Sequence, residues 1–283
     1  MQRYKIDHRT YYNFSGMVNL GPHILRLRPR EDHELRIEST HLKLTPPATL
    51  RWYRDVEGNS VAIATFALAT NQLIVENEVI IQQFNENPLE FLVADYAVNY
   101  PFAYLADDLV LLAAYMKTTE PSTRELLTAW MANVWQPTEP IQTYTLLQRL
   151  GSHIFQTLCY RLREEPGVQT VQQTLSYGTG SCRDFAVLFM EAARCLGLAA
   201  RFVSGYLHAP PSSVNYGSTH AWAEVYLPGA GWKGFDPTTG TIAGTDHIAV
   251  AVARLPESVP PIEGSFVGPP GANMAVGVWV TRC

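Results

Sequence analysis

The chain of 283 residues contains little cysteine and no closely spaced cysteine pair. None of its four cysteines has the Cys-x-x-Cys spacing that is typical of zinc and redox sites. A disulfide framework and a structural metal are therefore not expected, and the composition favours a reduced, cytoplasmic protein. The four thiols belong to Cys159, Cys182, Cys195 and Cys283.

Positive charge and long apolar runs are also scarce. The chain has 21 Lys and Arg residues against 26 Asp and Glu residues, a formal net charge of −5, whereas a nucleic-acid-binding surface needs clustered positive charge. The first residues lack the apolar segment of a signal peptide. Polar residues interrupt the long uncharged stretch at 58–75, and a membrane-spanning helix needs about 20 mainly apolar residues. Neither a nucleic acid nor a membrane is expected as a partner.

The composition changes along the chain and predicts an α+β protein of three parts. Residues 1–85 are rich in Val, Ile, Thr and aromatic residues between turns, which predicts a β-rich N-terminal domain. Residues 86–145 are interpreted as a helical connector. Residues 146–283 are assigned to a second core that ends in C-terminal strands.

Local signals predict the helices of the last two parts. Ser122 and Glu125 have the spacing of a capping box, which predicts a helix that reaches about Trp135. A second helix is predicted from apolar residues at helical spacing, namely Leu147, Leu150, Ile154 and Leu158.

Residues 178–186 (GTGSCRDFA) predict a cysteine at the start of a third helix. Ser181 and Asp184 have the spacing of a capping box, and apolar residues then recur at helical intervals, so Cys182 would be the first helical residue. The free amides and partial positive charge at a helix N-terminus favour a thiolate, and the same amides can donate to an oxyanion. Taken alone, the segment fits a nucleophile and a small buried residue equally well.

A thiolate nucleophile needs a base and a group that orients the base. Residues 219–227 (THAWAEVYL) predict a strand that carries His220, and after a turn at 228–231 (PGAG) the next strand leads to Asp236. A symmetric four-residue turn would pair Asp236 with Ala223, on the face opposite His220. The sequence therefore predicts a bulge or an odd-length loop at this turn, which would bring the two side chains to one face.

Four segments in this order resemble the bacterial transglutaminase-like cysteine peptidase family. They are residues 180–186 (GSCRDFA), 199–206 (AARFVSGY), 219–222 (THAW) and 231–238 (GWKGFDPT). The N-terminal part is similar to the β-rich N-terminal domain of that family through residues 8–12 (HRTYY), 25–30 (LRLRPR) and 55–59 (DVEGN). The resemblance covers nearly the whole chain.

The resemblance implies a papain/transglutaminase-like core, in which the nucleophile helix packs against an antiparallel sheet. It implies Cys182 as the nucleophile, His220 as the general base and acid, and Asp236 as the orienting acid. It also implies an aromatic residue upstream of the cysteine that helps to hold the oxyanion. Tyr160 is the candidate, and an aromatic core residue without a catalytic role is the equal alternative for it.

The expected function is that of a cysteine-dependent hydrolase without a cofactor, a peptidase or amidase that acts on a peptide or protein amide through a thioester. Crosslinking of protein glutamine to an amine is one alternative, since it would use the same three residues, and a catalytically silent binding module is another. Zinc is disfavoured because the other candidate ligands show no short-spaced pair: Cys159, Cys195, His208 and His247. For residues 1–85, gating of the substrate site and simple packing are both compatible with the sequence.

Overall fold

The structure is a computed structural model that describes residues 1–85, 87–163, 165–211 and 217–283. The strands of the N-terminal part are β1 (Gln2–Leu20), β2 (His23–Leu25), β3 (Leu35–Thr45), β4 (Ala48–Arg54), β5 (Ser60–Phe66) and β6 (Thr70–Gln83). The middle of the chain holds β7 (Asn99–Tyr100), α1 (Ala106–Met116), α2 (Arg124–Met131), β8 (Ile141–Gln142), α3 (Thr143–Thr157), β9 (Cys159–Tyr160), α4 (Val171–Tyr177), β10 (Thr179–Gly180) and α5 (Cys182–Cys195). The remaining strands are β11 (Ala200–Leu207), β12 (His220–Leu227), β13 (Gly231–Asp236), β14 (Thr241–Ile242), β15 (His247–Ala253), β16 (Ile262–Glu263), β17 (Phe266–Val267) and β18 (Ala272–Arg282).

Two sheets form the N-terminal part. One has the order β17-β1-β6-β3 with β18 also paired to β1, and the other has the order β16-β2-β5-β4. Apolar side chains between the two sheets form a buried cluster that includes Val18, Leu25, Ala62 and Leu73. Buried residues of β1 alternate with more exposed ones, and nearer the start of the strand the buried residues Tyr4 and Ile6 belong to a second apolar cluster, shared with the core.

The C-terminal strands complete these sheets, and their assignment to the core of residues 146–283 is wrong. β18 pairs with β1 along its length, from Tyr4 opposite Arg282 to Phe14 opposite Ala272. The physical reason is that β1 would otherwise be a long edge strand with unpaired backbone groups, and β18 satisfies them. The boundaries at residues 85 and 145 stay predictions.

The second core is an antiparallel sheet of order β14-β13-β12-β11-β15. Helix α5 packs on β11 and β12, and α2, α3 and α4 cover its other sides. This enclosure explains why α5 is buried around nearly its whole circumference, including Phe185, Leu188 and Phe189. The arrangement is the predicted α+β core, in which the helix that begins at Cys182 packs on an antiparallel sheet.

Several local predictions can be compared with the structure. The helix predicted from apolar spacing is α3, and the helix predicted after Ser181 is α5, which begins at Cys182. The capping box at Ser122 is wrong, because residues Pro121–Thr123 form a 3-10 turn and α2 begins at Arg124 without a side-chain cap. In that turn the Thr123 hydroxyl donates to the Glu120 carbonyl at 2.7 Å, which keeps it from capping the helix.

The same helix α2 ends at Met131, short of the predicted Trp135. Among the described residues, no helix combines the length and the apolar character that crossing a membrane requires.

Candidate active site

Cys182 lies at the N-terminus of α5, where hydrogen bonds to Asp184 fix the helix start and the preceding loop. Ser181 is the N-cap, and its amide and its hydroxyl both donate to the Asp184 carboxylate at 2.8 Å. The same buried carboxylate accepts bonds from the Arg163 guanidinium at 2.8 Å and from the Gln169 amide at 2.7 Å. Asp184 thereby ties the preceding loop to the helix start and fixes the position of the thiol. The first amides of the helix have no intrahelical acceptor and are available to an oxyanion beside Cys182.

The hairpin of β12 and β13 brings His220 and Asp236 to one face of the sheet. Ala223 pairs with Phe235 and Leu227 pairs with Gly231, so a loop of odd length, residues 228–230, joins the strands. The predicted odd-length loop is confirmed. With this register His220 and Asp236 point to the same side, because each lies an odd number of residues from the opposed pair of Ala223 and Phe235.

A tight contact with the connector holds that loop in place. Gly229 has a φ of 84°, and a Cβ atom at this position would lie 2.8 Å from the Ala94 amide nitrogen and 2.9 Å from the Leu92 carbonyl oxygen. The Ala94 amide donates to the Pro228 carbonyl at 2.7 Å. A glycine is therefore required at residue 229 by both its backbone conformation and its neighbours.

Asp236 is a fully buried carboxylate that is shared by two histidines. Its Oδ2 lies 2.8 Å from His220 Nε2 and 3.1 Å from His247 Nε2, and its Oδ1 accepts from the Thr238 amide at 2.9 Å. The Gly244 amide donates to His247 Nδ1 at 3.2 Å, so Nδ1 of His247 is an acceptor and Nε2 of the neutral ring carries the proton. Three N–H donors therefore hold the Asp236 carboxylate in its ionised form.

The charges of the buried pair reinforce each other. Burial by itself lowers the pKa of His220, but the Asp236 carboxylate, with a smaller contribution from the Cys182 side chain, raises it to about 10. Burial likewise raises the pKa of Asp236, but the bonds from His220 and His247 outweigh this and hold it far below its usual value. His220 is consequently an imidazolium at neutral pH, oriented by its carboxylate.

The second ring nitrogen of His220 is available to the thiol. Nδ1 is buried and has no hydrogen-bond partner among the described residues, while the effect of Cys182 on the imidazole places the two side chains within interaction range. Before substrate binds, a catalytic hydrogen bond is often long or poorly aligned, and it tightens in the complex. The structure thus brings the three residues predicted from the sequence together in the order thiol, imidazole, carboxylate.

The cluster of His220, Asp236 and His247 also has the composition of a metal site. Its ligand-type atoms all lie within 4.8 Å of one another. A histidine nitrogen that binds a metal must be unprotonated, whereas His247 Nε2 carries the proton that Asp236 accepts. The separations of 2.8 and 3.1 Å are hydrogen-bond distances, so the residues fit a hydrogen-bonded carboxylate better than a metal centre.

Tyr160 lies beside Cys182 because two very short strands pair in parallel. β9 and β10 place Tyr160 opposite Gly180, two residues before the cysteine. The Tyr160 ring packs edge-on against Phe185, with ring centroids 6.4 Å apart, and borders the same cavity as Cys182. Burial, and to a smaller extent the charge on Cys182, raises the pKa of Tyr160 to about 12, so its hydroxyl remains a donor at neutral pH. The ring has both a packing role and access to the cavity.

His247 is the site residue that sequence reasoning missed. The sequence places it among scattered histidines, and it lies at the start of β15, which pairs with β11. In the sheet β11 lies between β15 and β12, and the His247 side chain reaches Asp236 at the end of β13, a contact that no local spacing indicates. The Trp222 ring supports His247 edge-on, with centroids 5.1 Å apart, and Trp222 is itself buried.

Cys182, His220 and Tyr160 border one cavity of about 460 Å³. Its lining also includes Ser181, the N-cap of α5. The volume is within the range of about 300–1,000 Å³ that ligand sites occupy. A group in this cavity can therefore meet the thiol, the imidazole and the helix N-terminus together.

Comparisons with known proteins are consistent with this geometry. The model of the bacterial transglutaminase-like N-terminal region matches residues 4–82, and the model of the transglutaminase-like superfamily matches residues 129–237. An uncharacterized protein of Mycobacterium tuberculosis is 27% identical over 274 residues, which cover 93% of this chain and 87% of the relative. A protein of Mycobacterium leprae, also uncharacterized, is 35% identical over 107 residues, or 36% of this chain and 38% of that relative.

Among solved structures, a candidate cysteine protease from Cytophaga hutchinsonii has a similar fold. The two superpose with a TM-score of 0.76 at 17% identity, over 99% of this chain and 90% of that chain. The similarity extends across both parts of the molecule. It shows a mixed fold with a β-rich N-terminal region and a papain/transglutaminase-like core, as predicted.

Proposed function

The chain belongs to the transglutaminase-like superfamily through residues 129–237, and from this premise we propose that it is a cysteine-dependent hydrolase, a peptidase or amidase. The observation that carries the proposal is the position of His220. The Asp236 carboxylate holds one nitrogen of its ring at 2.8 Å, and the other nitrogen is left for Cys182. The proposed substrates are peptide or protein amides.

The first half of the proposed reaction forms a thioester. The Cys182 thiolate attacks the amide carbonyl carbon, and the helix N-terminal amides, together with the Tyr160 hydroxyl, stabilise the oxyanion. The His220 imidazolium then transfers the proton on Nδ1 to the amide nitrogen as the C–N bond breaks, so the amine leaves neutral. Asp236 keeps the imidazole oriented throughout and does not take the proton.

The second half returns the enzyme to its starting state. The now neutral His220 accepts a proton from a water molecule, and the resulting hydroxide attacks the thioester carbonyl. The C–S bond breaks, the carboxylic acid leaves, and Cys182 is regenerated. An amine in place of water would give crosslinking with the same residues, so the acceptor separates the proposed hydrolase from its alternative.

Cysteine labelling tests the proposed nucleophile. We expect iodoacetamide to alkylate Cys182 at neutral pH faster than Cys159 and Cys283, although both of those cysteines are more exposed. We expect His220→Ala to slow the labelling of Cys182 at least tenfold. His33→Ala is the matched control, because the side chain of His33 is 89% exposed and should leave the rate unchanged.

The same protein then serves in a turnover assay. Fluorogenic peptide amides with and without added primary amine should yield the free acid in both cases. If the product with amine is mainly the new amide, crosslinking replaces hydrolysis. If Cys182 labels no faster than Cys283, the nucleophile assignment is wrong and the molecule is a binding module.

A further inference from the structure

One face of the N-terminal sheet continues from the domain interface into the catalytic cavity. Near the start of β1, Tyr4 and Ile6 pack with Val278 and Val280 of β18 against Tyr206 and Ile248 of the core. Further along the same face, the pairs are Thr10 opposite Val276 and Tyr12 opposite Met274. These last residues border the cavity that contains Cys182. The N-terminal domain is therefore a wall of the site as well as a packing partner.

The part of this wall that lies beyond the interface is apolar and exposed. Met274 is 57% exposed and Val276 is 41% exposed, although both border a concave site. Apolar residues also contribute on other sides of the cavity, including Leu162, Val259 and Ile262. A ligand that buries this apolar surface removes it from water, and that burial contributes favourable free energy to binding.

Charged groups contribute little at this wall. His8 borders the cavity from the same sheet face, and burial lowers its pKa to about 4, so it is neutral at pH 7. Arg183 also borders the cavity, and its guanidinium donates to the carbonyls of Arg163 and Glu165 at 3.1 Å. Glu257 also borders the cavity, and its negative charge is opposite in sign to the charge of Arg183. An anionic side chain against Met274 and Val276 would lose its hydration without gaining a cationic partner there.

We propose that the N-terminal sheet forms a specificity subsite for the amide substrate, at which Tyr12, Met274 and Val276 receive a large apolar or aromatic side chain next to the reacting amide. The preferred substrate class is then a peptide with a bulky apolar residue beside the amide, in place of a free small amide. This inference rests on the proposed function, since it assigns the recognition of that function's substrate.

Binding to the Cys182→Ala variant tests the subsite without turnover. The probes are acetylated tetrapeptide amides, in two series that place Phe, Leu, Lys or Asp immediately before or immediately after the central amide. Isothermal titration should show at least tenfold tighter binding of the Phe peptide than of the Asp peptide in one of the two series. Equal affinities in both series would overturn the subsite.

Substitutions on β18 locate the subsite. Met274→Glu, made in the Cys182→Ala background, should weaken binding of the Phe peptide and improve binding of the Lys peptide, since it adds a negative charge to the wall. Met274→Leu should retain the preference for Phe. Ala275→Glu is the matched control, because residue 275 is exposed on the opposite face of the same strand and should change neither affinity.

The outcomes separate this inference from the proposed function. If Phe peptides bind with the expected preference but wild-type protein cleaves none of them, the subsite stands and the hydrolase proposal is wrong. If wild-type protein cleaves amides without a preference for an apolar residue, or if Met274→Glu and Ala275→Glu behave alike, the hydrolase stands and the subsite is wrong.

Discussion

The Asp236 carboxylate determines which ring nitrogen of His220 can take part in proton transfer. Since it accepts from both His220 and His247 on one oxygen, it directs the free nitrogen of His220 towards the thiol. His247 does not touch the reacting atoms in this scheme. It is a positioning residue that acts through Asp236.

Substitution of His247 should shift the pH profile of the site. In His247→Ala the Asp236 carboxylate loses one of its donors, so its pKa rises, because the bond from His247 is among the causes that lower it. We expect the rate of Cys182 alkylation to fall about tenfold at pH 7, on the scale of one lost charge-assisted hydrogen bond. The acid limb of the rate profile should move to higher pH.

A conservative variant separates positioning from general damage. His247→Gln keeps an N–H donor and should recover much of the rate and the original acid limb. If His247→Ala lowers the rate uniformly at every pH, with no shift of the limb, His247 has only a structural role.

The candidate site could be predicted from the sequence to the extent that its parts are local. The helix start at Cys182 follows from Ser181 and Asp184, and the odd-length loop follows from the requirement that His220 and Asp236 share a face. His247 could not be predicted in this way, because its contact depends on the order of strands in the sheet and no local spacing encodes it.

Close packing against Trp222 restricts which residues fit in the strands around the site. The strands β11 and β13 carry glycines where this ring crosses them. A Cβ atom on Gly205 would lie 2.4 Å from the Ile248 carbonyl oxygen and 2.7 Å from Trp222, and one on Gly234 would lie 2.4 Å from the Ala243 side chain. The sheet thus has space for the tryptophan that supports His247, and none for further atoms.

Two Gly→Ala substitutions should have opposite effects on stability. Gly205→Ala should destabilise the protein by about 1–3 kcal/mol, because the added methyl overpacks the sheet and displaces Trp222. Gly151→Ala, in the interior of α3, meets only Phe189 at 3.6 Å and should stabilise the protein by about 0.5–1 kcal/mol. Urea unfolding followed by tryptophan fluorescence measures both. A neutral or stabilising Gly205→Ala would contradict the packing argument.

The C-terminal strands show why the global arrangement was harder to predict. In residues 272–282 the apolar residues Met274, Val276, Val278 and Val280 recur at alternate positions, so the pattern identifies a strand but does not identify its partner. Proximity in sequence favours the core of residues 146–283, whereas the free edge of β1 lies at the other end of the chain. Pairing over such a separation is invisible to a local pattern.

The interface that joins the N-terminal sheet to the core contains a buried histidine. His8 is 1% exposed and is hydrogen-bonded to the Tyr206 hydroxyl at 3.1 Å and to Thr10 at 2.9 Å. Burial lowers its pKa to about 4, and the charge of Asp7 only partly opposes this. The folded protein therefore binds fewer protons at this residue than the unfolded chain does.

This interface should weaken in acid. Because the folded pKa of His8 is below its unfolded value, its contribution to stability is present above about pH 6.5 and is lost as the pH falls towards 4. The loss amounts to about 3 kcal/mol. The free energy of unfolding, measured from pH 8 to pH 4, should fall less steeply in His8→Gln than in the wild type.

The exposed His33→Gln variant controls for the loss of a histidine as such. It should retain the slope of the wild type. Identical slopes for His8→Gln and the wild type would show that His8 does not couple the interface to pH.

The pairing of β1 with β18 also affects folding during synthesis of the chain. Tyr4 lies opposite Arg282, and the amide of Cys283 donates to the Arg3 carbonyl at 3.1 Å, so the first and last residues are neighbours. On the ribosome β1 is synthesised long before β18, and one edge of β1 stays unpaired until residues 272–282 have been made. A chain that stops before residue 272 lacks the strand that protects this edge and one wall of the cavity beside Cys182, so we expect this truncation to reduce both solubility and the proposed substrate binding.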